Sequence, residues 1–304
     1  MPLLLNLKML KVSQLFVYPI KSLPGIAVNE ASVTEKGFEH DRRWMLVDAN
    51  NRFISQREAP QMTQLLVSIE DIGLRITHRT NDKSITIPFG SISLGRGKFT
   101  VWDDTCTGEY VSDEADKWFT NVLGLNCRLV YMPDDNSKRK VDPNYAPENT
   151  VTSFSDAYPF LIIGQSSLDD LNSRLPEPLP IDRFRPNIVF TGGEPFEEDL
   201  MESFSIAGIN FYGVKLCARC VIITINQNSG SKGKEPIKTL ASYRSKNNKI
   251  YFGQNLVHEG NGKITVGDEL HVKSLHKEER FIIPECTEKS TPIDIEKTFG
   301  IIVE

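Results

Sequence analysis

Between Cys217 and Ile225 the chain reads C-A-R-C-V-I-I-T-I, two cysteines straddling an arginine ahead of a β-branched run. A thiolate beside a cation is a nucleophile or a ligand for a soft transition metal, and Arg219 is the cation at hand for Cys220. A structural zinc site needs four ligands, commonly two C-x-x-C pairs or one pair with two close histidines, whereas Cys106, Cys127 and Cys286 each stand alone. A thioredoxin-like pair should open a helix in a βαβ unit, and this one leads into what reads as a strand over residues 221–225. The plainest alternative is a pair of half-buried strand cysteines with no reactivity, because free cysteine is among the most buried residue types.

The elements that must hold this segment are mostly strands. Residues 43–48 and 53–55, around the Asn50-Asn51 turn, read as a hairpin, and residues 65–69, 74–78 and 85–89 as short strands between polar turns. Ala115, Trp118, Phe119, Val122 and Leu123 fall at i, i+3, i+4, i+7 and i+8, a helix with Ser112 as cap and Gly124 as stop. Residues 134–149 contain Pro143 and Pro147, follow Pro133, and break both periods; they read as a linker, with Lys138-Arg139-Lys140 as a solvated loop. Ser167, Leu168, Leu171 and Leu175 mark a second short helix, with Asp170 completing a capping pattern. Strands resume at 187–191, 204–206, 221–225 and 263–266, an exposed loop spans 227–236, and after Val272 the chain turns charged and aperiodic. Many short strands with close turns predict a mainly β chain with a few helices, built as barrels or a sandwich.

At 304 residues the chain can bury two real cores. Five cysteines, an odd number with no secretory pattern, fit a reducing, cytoplasmic setting. Residues 1–10 are apolar but lack a charged n-region, and no stretch approaches the ~20 apolar residues that span a bilayer. A formal charge of −5 argues against a general nucleic-acid binder.

Six short motifs occur in order: Y-P-I-K-S from Tyr18, D-R-R-W from Asp41, S-D-A-Y-P from Ser155, F-R-P-N from Phe184, C-A-R-C from Cys217 and F-G-Q-N from Phe252. In this order the chain resembles the MOSC (molybdenum cofactor sulfurase C-terminal) family, nearest to its bacterial N-hydroxylated-base reductases and the mitochondrial amidoxime-reducing component. The resemblance implies a MOSC-associated N-terminal β-barrel domain at 10–133, the linker 134–149, the MOSC β-barrel at 150–273 and a tail at 274–304. It implies a molybdenum cofactor (Mo-molybdopterin), with Cys220 as the protein ligand to the metal and Cys217 as its neighbour. Such an anionic group needs cations and polar donors, and the motifs supply Lys21, Ser22, Arg42, Arg185 and Arg219, with amides from Asn187 and Asn255. The Ser155–Tyr158 loop is expected beside the cofactor, with Ser155 and Tyr158 against it and Asp156 at the catalytic face.

The activity implied is reduction of small N-hydroxylated substrates (hydroxylamines, amidoximes, N-hydroxylated bases) to amines or amidines. Bacterial relatives often carry a four-cysteine iron–sulfur domain at the C-terminus, whereas only Cys286 follows Cys220 here. Electrons are therefore expected from a separate flavoprotein, iron–sulfur or cytochrome-type protein. The alternative within the same family is a cofactor-binding or sulfur-carrier protein in which Cys220 bears persulfide, since a fold alone does not decide activity.

Overall fold

In the computed structural model, which describes residues 9–90, 93–134, 139–278, 280 and 298, burial alternates along the first half of the strand Ile209–Ala218 as a half-buried sheet requires. Ile209, Phe211 and Gly213 face inward in Ile209–Ala218, between partly exposed neighbours. Seven strands close a barrel in the order Phe160–Gly164, Ile188–Thr191, Leu10–Val17, Glu269–Leu275, Met201–Ile206, Ile209–Ala218 and Lys249–Glu259, which pairs back onto Phe160–Gly164. Only the first two run parallel, joined through the Gln165–Arg174 helix. Closure leaves no open edge, and Val12, Phe160, Ile162, Phe204, Phe211 and Leu256 fill the interior.

The half-barrel beside it pairs Trp44–Val47, Arg128–Tyr131, Asp104–Tyr110 and Arg96–Val101 in that order. The strands Leu65–Glu70, Gly73–His78 and Ser84–Pro88 form a separate antiparallel sheet. The Asp113–Leu123 helix forms as its spacing predicts. Ser112 Oγ accepts the Ala115 N–H at 3.1 Å, Gly124 stops the helix at φ 66°, and Ala115, Phe119 and Leu123 pack among Leu46, Leu65, Leu74 and Leu129.

The structure departs from the sequence reading in instructive ways. Leu10–Val17, first in the chain, sits inside the barrel between strands from the far end, at Ile188–Thr191 and Glu269–Leu275. Residues Val221–Thr224 are a 3-10 turn, not a strand: Ile223 is wholly buried, and Arg183 Nε donates to its carbonyl at 2.9 Å. Tertiary packing outweighs the β-branched preference there. The Gln165–Arg174 helix starts at a Gly164 cap without side-chain help. Ser167 Oγ instead donates to Glu198 Oε2 at 2.7 Å, and Asp170 pairs with Arg174. Arg139, read as part of a solvated loop, is 4 % exposed in a strand that pairs with Val151–Thr152. The strand Glu269–Leu275 runs past Val272 with only Leu270 buried, so alternation could not announce it. Most of the predicted tail lies outside the described residues.

Candidate functional site

The motif segments converge because the barrel's register brings them to one end. Leu161 lies opposite Asn255, Ala218 opposite Tyr251, and Leu15 and Ile162 both opposite Ile188. At that end one cavity is lined by all eleven sequence-predicted residues: Lys21, Ser22, Arg42, Ser155, Asp156, Tyr158, Arg185, Asn187, Arg219, Cys220 and Asn255. Phe53, Arg57, Trp102 and Cys217 are also part of the wall.

Four lining residues, Ser22 (φ 67°), Arg42 (φ 49°), Trp102 (φ 57°) and Arg185 (φ 57°), adopt the left-handed backbone conformation that side chains other than glycine, asparagine and aspartate rarely take. Each costs of order 1 kcal/mol and is held by its surroundings, a concentration typical of sites where geometry serves function. Tyr18 is part of that support. Its hydroxyl donates to Pro186 O at 3.0 Å, and the Arg42 and Arg185 guanidinium groups pack on its ring at 4.1 and 4.4 Å from the centroid.

Five cations face the cavity, Lys21, Arg42, Arg57, Arg185 and Arg219, against one lining carboxylate, Asp156. Arg42 is neutralised from behind by the buried Asp41 at 2.6 Å, and Lys21 Nζ pairs with Asp156 Oδ1 at 2.6 Å. Among the described residues neither Arg185 nor Arg219 has a carboxylate partner, and each keeps a buried donor unbonded, Nη1 of Arg185 and Nε of Arg219. Burial pushes Arg185 down to about 10, and the charges of Asp156 and Asp41 offset this only in part. Orphaned buried guanidinium donors are costly unless something anionic completes them.

Asp156 accepts from Lys21 and from Trp102 Nε1, the latter at 3.0 Å. Burial would raise its pKa, but the Lys21 charge and these hydrogen bonds outweigh that and hold the carboxyl well below the usual carboxylate range. Its side chain is 69 % exposed, so solvent in the cavity moderates the effect. Lys21 is pulled down by burial, opposed by Asp156.

Arg219 does not activate Cys220 as the sequence suggests. Its Nη1 donates to Cys217 Sγ at 3.0 Å and its Nη2 to Phe184 O at 2.7 Å. Burial, then the Asp156 charge, raise the Cys220 thiol, and the Ile222 backbone N–H, followed by the Arg219 and Arg57 charges, only partly offsets them. The thiol is thus held in its protonated form, and a metal binding there would have to displace the proton. Among the described residues no three His, Cys, Asp or Glu side chains cluster to hold a metal. A metal bound at Cys220 must bring its other ligands with it, on a carrier whose negative charge suits the surrounding arginines. The donor set therefore fits a metal on an anionic organic cofactor.

Asn187 and Asn255 differ. Asn187 Oδ1 accepts from Arg42 and the Leu161 N–H while its Nδ2 donates to Phe16 O, so this amide mainly braces Arg42. Asn255 presents its amide to the cavity with no hydrogen-bond partner among the described residues. Ser155 Oγ is within 2.6 Å of Thr152 Oγ1, and Tyr158 packs against Val141 and Val257 with part of its ring in the wall. In F-G-Q-N, Phe252 packs on Phe184 at 4.4 Å, and Gln254 Nε2 donates to the Glu198 and Met201 carbonyls. Gln254 passes so close to Gly213 that a Cβ there would clash with it.

Sequence reasoning missed Arg57, Trp102 and Arg139. Arg139 donates to the Ser153, Ser155 and Asp156 carbonyls and pairs with Asp104, clamping the Asp156 loop. A signal for Trp102 existed: the hairpin turn of Trp102-Asp103 is two residues long, where Asn-Gly is expected and a large aromatic is out of place.

Barrel, half-barrel and site define the class: the chain belongs to the MOSC family. The MOSC N-terminal beta barrel domain matches residues 9–126 and the MOSC domain matches residues 149–271. The chain is 32 % identical over 281 residues to mitochondrial amidoxime-reducing component 1 of Mus musculus, covering 86 % of this chain and 82 % of that protein. It is 29 % identical to the Homo sapiens counterpart with the same coverage. It is also 32 % identical to molybdenum cofactor sulfurase of Arabidopsis thaliana, but there spans 34 % of the relative's length. Among the described residues no helix is long and apolar enough to cross a membrane.

Proposed function

We propose that this chain is a molybdenum-cofactor-dependent reductase of N-hydroxylated compounds. The observation that carries the reading is the pairing of a single metal-competent thiol, Cys220, with buried arginines whose donors at Arg185 Nη1 and Arg219 Nε lack a partner. Relatives named for amidoxime reduction, spanned over most of their length, support the same class.

Cys220 would hold the metal, and Ser22, Arg42, Arg185, Arg219 and Asn255 the anionic carrier. Reducing R–NH–OH to R–NH2 and water consumes two electrons and two protons. When bound, the cofactor supplies two-electron chemistry at its metal. The chain's own residues do the rest. Asp156, ionised and fixed through Oδ1 by Lys21 and Trp102, keeps Oδ2 free of protein donors among the described residues, so Oδ2 can accept from the substrate N–H. Lys21 Nζ, made more acidic by burial, holds a proton for the departing oxygen. The cationic wall favours charge that develops on that oxygen. A separate redox protein delivers the electrons.

Elemental analysis of protein made in a cofactor-competent host, wild type beside Cys220→Ser, tests this. Near-stoichiometric molybdenum that disappears in the variant, together with turnover of hydroxylamine or an amidoxime, is expected. Sulfane sulfur on Cys220 without reduction of either substrate would replace the reductase by a sulfur carrier.

A further inference from the structure

Trp102 is expensive where it stands. It turns a two-residue hairpin between Arg96–Val101 and Asp104–Tyr110 with a bulky side chain at φ 57°, a position glycine or asparagine fills without strain. The residue is 39 % exposed, so core burial does not explain the choice. What holds it is the site. The indole Nε1 donates to Asp156 Oδ1 at 3.0 Å, the Arg57 guanidinium lies 4.2 Å from the ring centroid, and Phe53 lies 5.3 Å away at a 56° tilt. Arg57 is braced through Nε to Ser55 Oγ at 3.1 Å and has no carboxylate partner among the described residues. An aromatic plane with a cation on it, fixed to the one carboxylate of the cavity wall, is a surface for a flat conjugated group.

We propose that Trp102, oriented by Asp156 and Arg57, is a specificity-determining residue. It stacks on substrates whose N–O group is attached to a flat conjugated system, a contact that small aliphatic ones do not make. This rests on the proposed reductase, but binding can be tested apart from turnover. The experiment compares wild type, Trp102→Phe and Trp102→Ala, each first shown to carry wild-type molybdenum. The substrates are benzamidoxime and hydroxylamine, and benzamidine serves as a non-reacting flat ligand.

The alanine variant also removes the Asp156 hydrogen bond, a loss both substrates share; beyond it, kcat/KM for benzamidoxime should fall about tenfold further than for hydroxylamine, mostly through KM. The phenylalanine variant, which keeps a ring but loses the N–H, should recover most of the benzamidoxime KM. Benzamidine should quench wild-type indole emission, and the quench should vanish in Trp102→Phe although Trp44 and Trp118 remain. Equal losses for both substrates in the alanine variant would make Trp102 a support for Asp156 alone, and an undiminished quench in Trp102→Phe would place the flat ligand elsewhere; either result overturns the proposal. If wild type reduces neither substrate, the reductase fails while the quench still decides the platform. Should Trp102→Ala not fold, the phenylalanine variant and the quench carry the test.

Discussion

Arg219 Nη1 lies 3.0 Å from Cys217 Sγ, so the guanidinium between the two cysteines serves the first and leaves the second to burial. The two thiols, three residues apart, are set up differently. Cys217 lies within a strand end beside a cation, whereas Cys220 caps a 3-10 turn as a neutral thiol facing the cavity.

Replacing each cysteine by serine should separate them. Cys220→Ser should lose bound molybdenum altogether, whereas Cys217→Ser should keep it at wild-type stoichiometry and retain activity within about tenfold, since a hydroxyl can still accept from Arg219. Parallel loss of metal in both variants, measured by elemental analysis, would show that Cys217 is also a ligand.

The Lys21–Asp156 pair predicts an acid limb. Because the folded-state pKa of Asp156 is depressed, its stabilising effect is present above the unfolded value near 4 and is lost as pH falls through the folded one. Asp156→Asn should therefore be less stable at pH 7 by about 1 kcal/mol, a modest figure because the carboxylate is mostly exposed. It should also lose less stability than wild type between pH 5 and 3. Urea unfolding at several pH values measures both. Activity should fall at least a hundredfold, since a neutral amide cannot keep Lys21 charged in a buried position.

Much of the site was legible because its chemistry needs residue types that stand out singly and in order: a C-x-x-C, buried-site arginines, a Lys-Ser after Tyr-Pro. The helix at Asp113–Leu123 was legible for the same reason, with cap, stop and apolar face all local. What was not legible depended on partners far away in sequence. Leu10–Val17 pairs locally with Ile26–Val28, but its neighbours in the barrel come more than 170 residues later, as Lys11 opposite Thr191 illustrates. Residues 221–224 looked like a strand because β-branched residues prefer one, yet the barrel had already used Ile209–Ala218 and needed a turn to carry Cys220. Arg139 looked solvated beside two lysines because nothing local reveals three carbonyls waiting for it.

That clamp gives a further prediction. Arg139→Met keeps the aliphatic stem but removes every donor, leaving the Ser153, Ser155 and Asp156 carbonyls without their shared partner. Stability should drop by about 2–4 kcal/mol, and hydrogen exchange should rise across the Asp156 loop while the barrel strands stay protected. Unchanged protection of that loop would mean that the Asp156–Lys21 contact alone holds it.

Glu198 offers the clearest pH signature away from the cavity. It is fully buried beside Asp199, which is ion-paired to Arg244, while the Glu198 carboxylate has the Ser167 hydroxyl and the Gly164 and Glu198 backbone N–H groups but, among the described residues, no cation, and its Oε1 lacks a partner. Burial, reinforced by the Asp199 charge, pushes Glu198 up to about 7. The folded protein therefore holds this proton more tightly than the unfolded chain, whose glutamate titrates near 4.3, and stability must decline as pH rises from about 4.5 through 7. Glu198→Gln keeps the shape and removes the titration. Between pH 5 and 8 its unfolding free energy should fall less than that of wild type, by on the order of 2 kcal/mol. Denaturant unfolding at the two pH values decides it. Equal declines in both proteins would mean that Glu198 is ionised in the fold and that Arg244 is shared between the two acids.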